Sequence, residues 1–213
     1  MRRLSIYSAL GLLSLCIPSP SAVFRFDTDP FAGSTALTTP GRQIVGNEGF
    51  ISFSIGTDIF SLESTVFGVA APVLFANDLA ANLPGSGVNV IVLQDTPDPF
   101  AAGLAANLIA AQITTPGPGF FIYFNSGLDL PRLVYSTDLD DNTSDLKILF
   151  RLTNLGGQPG RDALPTFTAS NFEITTVPEP SAASMMTGAG LLLAARCWWR
   201  RARRRRIRLA SNS

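Results

Sequence analysis

The chain has no histidine, one lysine (Lys147) and only two cysteines, Cys16 and Cys197, both near its ends. Without an imidazole there is no histidine general base and no histidine zinc ligand, which excludes Ser-His-Asp triads and the common zinc sites. The cysteine positions exclude thiol catalysis and disulfides from the central body. The body also lacks tryptophan, since Trp198 and Trp199 both lie close to the C-terminus. No phosphate-binding glycine loop is present, because Gly85-Ser86-Gly87 has neither a third glycine nor a helical pattern after it. Any catalysis would therefore have to use carboxylates, or a Ser-Lys dyad built on Lys147.

Charge of one sign is missing from whole segments. The 16 basic and 16 acidic residues cancel only in total. Residues 1–22 hold two Arg and no acid, and residues 181–213 hold eight Arg and no acid. Residues 23–180 carry all 16 acids against six basic side chains, a net charge of −10. Such asymmetry points to targeting or membrane segments flanking an acidic body.

At the N-terminus, Arg2 and Arg3 precede an apolar run over residues 4–17, followed by Pro18, Ser19, Pro20, Ser21 and Ala22. A basic start, a short apolar stretch and small residues behind a helix breaker describe a secretory signal peptide, residues 1–22, with cleavage near Ser21 or Ala22. The run is shorter than the ~20 residues that span a bilayer. Cys16 follows Leu15, where a lipidation signal needs a small side chain, so it reads as an apolar member of the run.

The C-terminal segment, 177–213, opens with Val177, Pro178, Glu179 and Pro180 and continues through an uncharged stretch to Ala195. Residues 181–199 would make a helix of ~28 Å at 1.5 Å per residue, close to the ~30 Å hydrocarbon core of a membrane. Trp198 and Trp199 suit the headgroup level, and Arg200, Arg201, Arg203, Arg204, Arg205 and Arg206, within an Arg-rich tail at 200–208, hold the end on the cytoplasmic side. Both ends then predict the same topology, with the acidic body outside. A Pro-Glu-Pro motif at 178–180, a hydrophobic helix and an Arg-rich tail, on a chain with a signal peptide, resemble the PEP-CTERM sorting signal of Gram-negative bacteria. The resemblance covers 177–213 and concerns sorting. It implies export, processing by signal peptidase and an exosortase, transient anchoring in the inner membrane, and delivery to the cell surface or extracellular matrix with its exopolysaccharide and biofilm. The rival readings are an ordinary, uncleaved tail anchor and, behind it, a nucleic-acid-binding arm, which would need no apolar run before it.

The body, 23–176, is long enough for one domain. Residues 48–55, 88–93, 120–124, 133–136, 146–153 and 167–177 have alternating or continuous apolar patterns bounded by Gly, Pro, Asn and Asp. They predict a mainly β fold, an antiparallel sheet or sandwich with one or two helical insertions, with α+β as the alternative. The better helix covers 100–113, capped by Asp98 with Pro99 in its first turn, with Phe100, Leu104 and Leu108 on one apolar face and Ile109 and Ile113 continuing a neighbouring row. It would form a strand-helix-strand crossover between 88–93 and 120–124. A weaker helix is expected over 73–83.

The densest set of oxygen ligands is the loop Asp138-Leu139-Asp140-Asp141-Asn142-Thr143-Ser144-Asp145. Asp138, Asp140, Asn142 and Ser144 alternate as a calcium loop requires, and Asp145 adds a further carboxylate. Thr143 and Leu149 stand where an EF-hand has its glycine and its bidentate glutamate, so a solvated hairpin loop is the competing reading. Glu48, Glu63 and Glu173 are available to a carboxylate glycosidase, which needs two acids facing each other across a cleft. Tyr123 and Tyr135 are available for stacking on sugars. Lys147 reads as a lone exposed base. The leading expectation is a non-catalytic, exported envelope or matrix protein with no required cofactor. The alternatives are a weak Ca²⁺-dependent carbohydrate-binding module and, behind it, a glycosidase.

Overall fold

The computed structural model describes residues 21–176. Every element below lies within Val23–Thr175. The expected signal peptide except for Ser21 and Ala22, the Val177–Pro180 motif, the expected 181–199 helix and the Arg-rich tail lie outside the described residues. Among the described residues no helix is long and apolar enough to cross a membrane.

Strand β7 (Gly119–Asn125) is the centre of the fold, with all of its residues buried. Phe120, Ile122 and Phe124 face one core, while Phe121 and Tyr123 face another. A strand covered on both faces needs apolar residues at every position, which is why this stretch reads as a run and not as an alternation. Around it lies a sheet in which β7 pairs antiparallel with β8 (Leu130–Ser136), and β8 antiparallel with β9 (Leu146–Leu152). On the other flank, β6 (Val90–Leu93) runs parallel to β7, and β5 (Phe75–Asp78) parallel to β6. Two short strands, β2 (Ile44–Val45) and β3 (Gly49–Ile51), pair parallel with β9 along its outer edge.

A second sheet is wholly parallel. β4 (Ile59–Glu63) lies between β1 (Val23–Phe26) and β10 (Phe172–Thr175). Phe60 and Leu62 of β4, with Phe172 and Ile174 of β10, pack on Phe150, Phe120 and Val92 of the larger sheet. Aromatics dominate this layer: Phe53 and Phe60 stack with centroids 4.2 Å apart and ring planes 3° from parallel. Offset or stacked rings of this kind add to the area they bury.

The other face of the large sheet is covered by α2 (Ala102–Ala110), the crossover between β6 and β7. The remaining helices are the single turn α1 (Ser64–Phe67) and α3 (Gly157–Ala163). Strands therefore dominate, as expected, but the sheets are mixed and not mainly antiparallel. Among the described strands only the β7–β8 and β8–β9 pairs are antiparallel. Parallel neighbours need long crossovers, so several Gly/Pro clusters that resemble hairpin turns are the ends of crossover connections.

Three local expectations change with this topology. Asp98 does not cap α2, and Pro99 lies outside it. The Asp98–Pro99 peptide is cis, the helix begins after Ala101 without a side-chain cap, and the Phe100 N–H donates to Ser126 Oγ at 2.7 Å. The apolar face is broader than the predicted rows: Phe100, Ile109 and Ile113 are buried and Leu108 packs against the same core, but Ala102, Ala105 and Ala106 are buried too, while Leu104 is 48% exposed. The sheet beneath already presents Phe121 and Tyr123, so small residues on the contact face let the helix approach. Residues 73–83 form β5 and a 3₁₀ turn at Ala80–Asn82 in place of a helix, because pairing with β6 outweighs local propensity. Of the predicted 167–177 strand, the described residues 167–176 are strand only at Phe172–Thr175; a 3₁₀ turn at Ala169–Asn171 precedes it, held by a reciprocal capping pair between Thr168 and Asn171.

Candidate functional site

The acidic loop is the β8–β9 connection, and its oxygen ligands point in different directions. Asp138 Oδ1 accepts the N–H of Gly117 at 2.9 Å and of Asp140 at 3.0 Å. Asp145, buried, accepts the N–H of Leu37 on one oxygen and of Gln43 on the other, both at 2.6 Å. Ser144 Oγ is paired with Ser136 Oγ at 2.8 Å. Asp140 is half-buried, and Asn142 is exposed. Asp141 closes the turn on itself, accepting from the N–H and hydroxyl of Thr143 at 2.7 Å. Those bonds, the backbone one foremost, hold its carboxyl below the usual range.

A cation does sit on this loop, and it is a side chain. Arg42 donates through Nε to the Ser144 carbonyl at 3.1 Å and through Nη2 to the Asn142 carbonyl. Its Nη1 reaches the Gly103 carbonyl at 2.7 Å and Asn107 Oδ1 at 2.8 Å. The guanidinium therefore ties the loop to the first turns of α2, as its fixed fork of five donors allows. Two of the five predicted ligand residues spend their carboxylates on backbone N–H groups, and two spend their carbonyls on Arg42. Among the described residues no group of three or more His, Cys, Asp or Glu is placed to hold a metal ion.

A second polar cluster was not anticipated. Glu48 Oε1 accepts from Arg132 Nη2 at 2.5 Å and from Arg151 Nε at 2.6 Å, and the Glu48 side chain is only 6% exposed. Arg132 and Arg151 are directly opposed on β8 and β9, where two like charges would repel without the carboxylate between them. Burial pushes the Glu48 carboxyl up. Bonds from its own backbone N–H and from Arg151 and Arg132 outweigh that and leave it below the ordinary glutamate range. Arg132 Nη1 extends the network to the Tyr123 hydroxyl at 3.5 Å, which also accepts from Asn125 at 2.9 Å. The sequence signal was present in two arginines within otherwise apolar strands and one isolated acid before β3.

Lys147 lies beside this cluster and is buried, contrary to its reading as an exposed base, because β9 is covered on one side by β8 and on the other by β2 and β3. Its ammonium donates to the Gly46 carbonyl. Burial lowers its pKa while Glu48 acts in the opposite sense. Tyr123 and Tyr135 are buried as well, so neither offers a ring to solvent. Glu63 accepts the Thr65 hydroxyl at 2.7 Å at the end of β4, and Glu173 is exposed on β10. Both belong to the small sheet, whereas Glu48 is held between β8 and β9.

A half-open groove of about 350 Å³ lies where the chain enters β5, β6 and β7, lined by Val69, Leu74, Val88, Ile113 and Pro118 around Asn89. The Asn89 amide is fully used, accepting the Leu74 N–H and donating to the Ala70 and Pro72 carbonyls. The groove is at the amino ends of the parallel strands, opposite the carboxyl ends where open α/β sheets place their ligands. At those carboxyl ends, Asp78 and Asp95 accept backbone N–H groups of Leu79 and Ala80 and so close loops. Comparison with protein-family models, with characterised proteins and with solved structures finds no match for this chain.

Proposed function

We propose that this is an exported, non-catalytic protein of the cell envelope or extracellular matrix, delivered by a PEP-CTERM/exosortase pathway and associated there with exopolysaccharide. The observation that carries the reading is the agreement between the folded unit and the sorting segments. β1 opens at Val23, directly behind the signal segment, and β10 closes at Thr175, two residues before Val177. A fold that uses the chain from end to end between two removable segments is what a sorted cargo requires. Part of the acid set supports a non-catalytic role: Glu48 is held by two arginines, Asp138 and Asp145 by backbone N–H groups, and Asp141 by Thr143. The net charge of −10 between residues 23 and 180 opposes binding to nucleic acid.

The test is to follow the full-length chain, by antibody to the body, in its host with and without the exosortase, beside a Pro178→Ala/Glu179→Ala variant. The wild type is expected in the matrix or outer-envelope fraction, with a mass lacking both end segments. Loss of the exosortase or of the motif leaves a heavier, membrane-bound form. A body that stays cytoplasmic with Met1 intact refutes the proposal.

A further inference from the structure

We propose that the precursor is cut at the Ser21–Ala22 bond, and that the α-ammonium group created on Ala22 forms an ion pair with the buried carboxylate of Asp58. This inference rests on the export reading above and adds the bond and the acceptor.

Asp58 is 5% exposed, a position where a carboxylate is seldom found without a partner. The ion pairs of the described residues engage Glu48 and Asp129, and none reaches Asp58. Its bonds come instead from neutral groups at the start of the fold. Oδ1 accepts the Ala22 N–H at 2.9 Å and the Thr57 hydroxyl at 3.2 Å, and Oδ2 accepts the Ser54 N–H at 2.8 Å. Burial acts most strongly on this carboxyl and raises its pKa, yet the bonds from Ala22, Ser54 and Thr57 together bring it below the usual aspartate value. The site is thus built to stabilise negative charge inside the protein, and one of its three donors is the amide nitrogen that processing would turn into a cation.

Ala22 is also a structural residue. Its carbonyl accepts the Ile59 N–H at 2.9 Å, just ahead of the Val23–Ile59 rung that opens the β1–β4 ladder. Cleavage after Ala22 would remove both of these bonds. Cleavage after Ser19 would put Pro20 directly behind the cut and Ile17 three positions before it. The Ser21–Ala22 bond alone has small residues at both recognition positions, Ser21 and Ser19, and keeps Ala22 in the fold. In the cleavage, water adds across the peptide bond. Its oxygen joins the Ser21 carbonyl carbon, which leaves with the signal segment as a carboxylate, and the C–N bond breaks. The Ala22 nitrogen takes a proton and becomes an amine, which is protonated at neutral pH. The neutral hydrogen bond to Asp58 is thereby converted into a charge-assisted one, the stronger kind.

The full chain is produced in a Gram-negative host, and the N-terminus of the processed protein is read by mass spectrometry. A chain beginning at Ala22 is expected. A processed chain beginning anywhere else overturns the assigned bond while leaving export intact, and a chain retaining Met1 overturns both. The ion pair is read separately, by labelling the α-amine of the processed protein at pH 7 with an N-hydroxysuccinimide ester. An opposite charge at hydrogen-bond distance holds the amine protonated, so labelling is expected to be about tenfold slower in the wild type than in Asp58→Asn. Equal rates in the two proteins refute the pairing. Should Asp58→Asn fail to fold, the pH dependence of labelling in the wild type decides the pairing: a midpoint well above the ordinary α-amine value of about 7.7–8.0 is expected, and a midpoint at that value refutes it.

Discussion

Glu48→Gln tests whether the charge cluster on β8 and β9 is a structural unit. The substitution keeps shape and one carbonyl acceptor but removes the charge that separates Arg132 from Arg151. Removing one partner from a buried pair costs about 3–5 kcal/mol. Arg151 keeps 27% of its side chain in solvent, and the glutamine amide still accepts one bond, so a cost near the lower limit, about 3 kcal/mol, is expected. For a domain of this size each kcal/mol moves Tm by roughly 2–4 °C, which predicts a fall of roughly 6–12 °C at pH 7. The pH dependence gives a second, sharper readout. The Glu48 pKa is lower in the folded chain than in the unfolded one. Its contribution is therefore present above the unfolded value of ~4.3 and is lost as pH falls through the folded value. Protonated Glu48 resembles glutamine, so the Tm curves of wild type and variant converge on acidification. Thermal unfolding followed by circular dichroism between pH 7 and pH 3 measures both effects. A variant within about 1 °C of wild type at pH 7, or a gap unchanged by acid, refutes the assignment.

Other expectations follow from single contacts. In Gly160→Ala the new Cβ would lie 1.8 Å from the Leu155 backbone oxygen and 3.1 Å from the Phe124 ring. Because that oxygen is main chain, α3 must shift, and chemical denaturation should show a loss of about 3 kcal/mol or more, or no folded protein. Arg42→Met removes four acceptor contacts between the acidic loop and α2; hydrogen exchange at 137–145 should accelerate at least tenfold while β7 is unchanged. The Tyr135 hydroxyl is pushed up to about 12 by burial and donates to the Phe67 carbonyl at 2.7 Å. Ultraviolet titration should show no ionisation of this phenol below pH 11 in the folded protein, and Tyr135→Phe should cost about 1–2 kcal/mol by leaving that carbonyl unpaired.

The parts of the fold that were legible in the sequence are those set by local pattern. β6, β7, β8 and β9 are the long apolar runs, and α2 falls inside the alanine-rich stretch between two of them. What stayed hidden depends on distant partners. β2 is two residues long and exists because Ile44 and Val45 pair with Leu146 and Lys147, a hundred positions away. The same distance conceals the true neighbour of the acidic loop: nothing near Asn142 announces that Arg42 will bind its carbonyl. Lys147 was misplaced for a related reason, since a polar residue beside a loop looks exposed until strands from elsewhere cover it. Composition told which chemistries were absent, but side-chain direction decided where the remaining acids point.

The small parallel sheet also dictates an order of events. Its central strand, β4, is made early, and one flank, β1, precedes it; the other flank, β10, is almost the last stretch of the body to appear. The chain emerges amino end first, so Phe60 and Leu62 remain uncovered on the β10 side until residue 172 is available. The domain thus carries its own completion check. A truncated body leaves β4 with an open edge, and only a chain delivered through Thr175 can seal the aromatic layer beneath it.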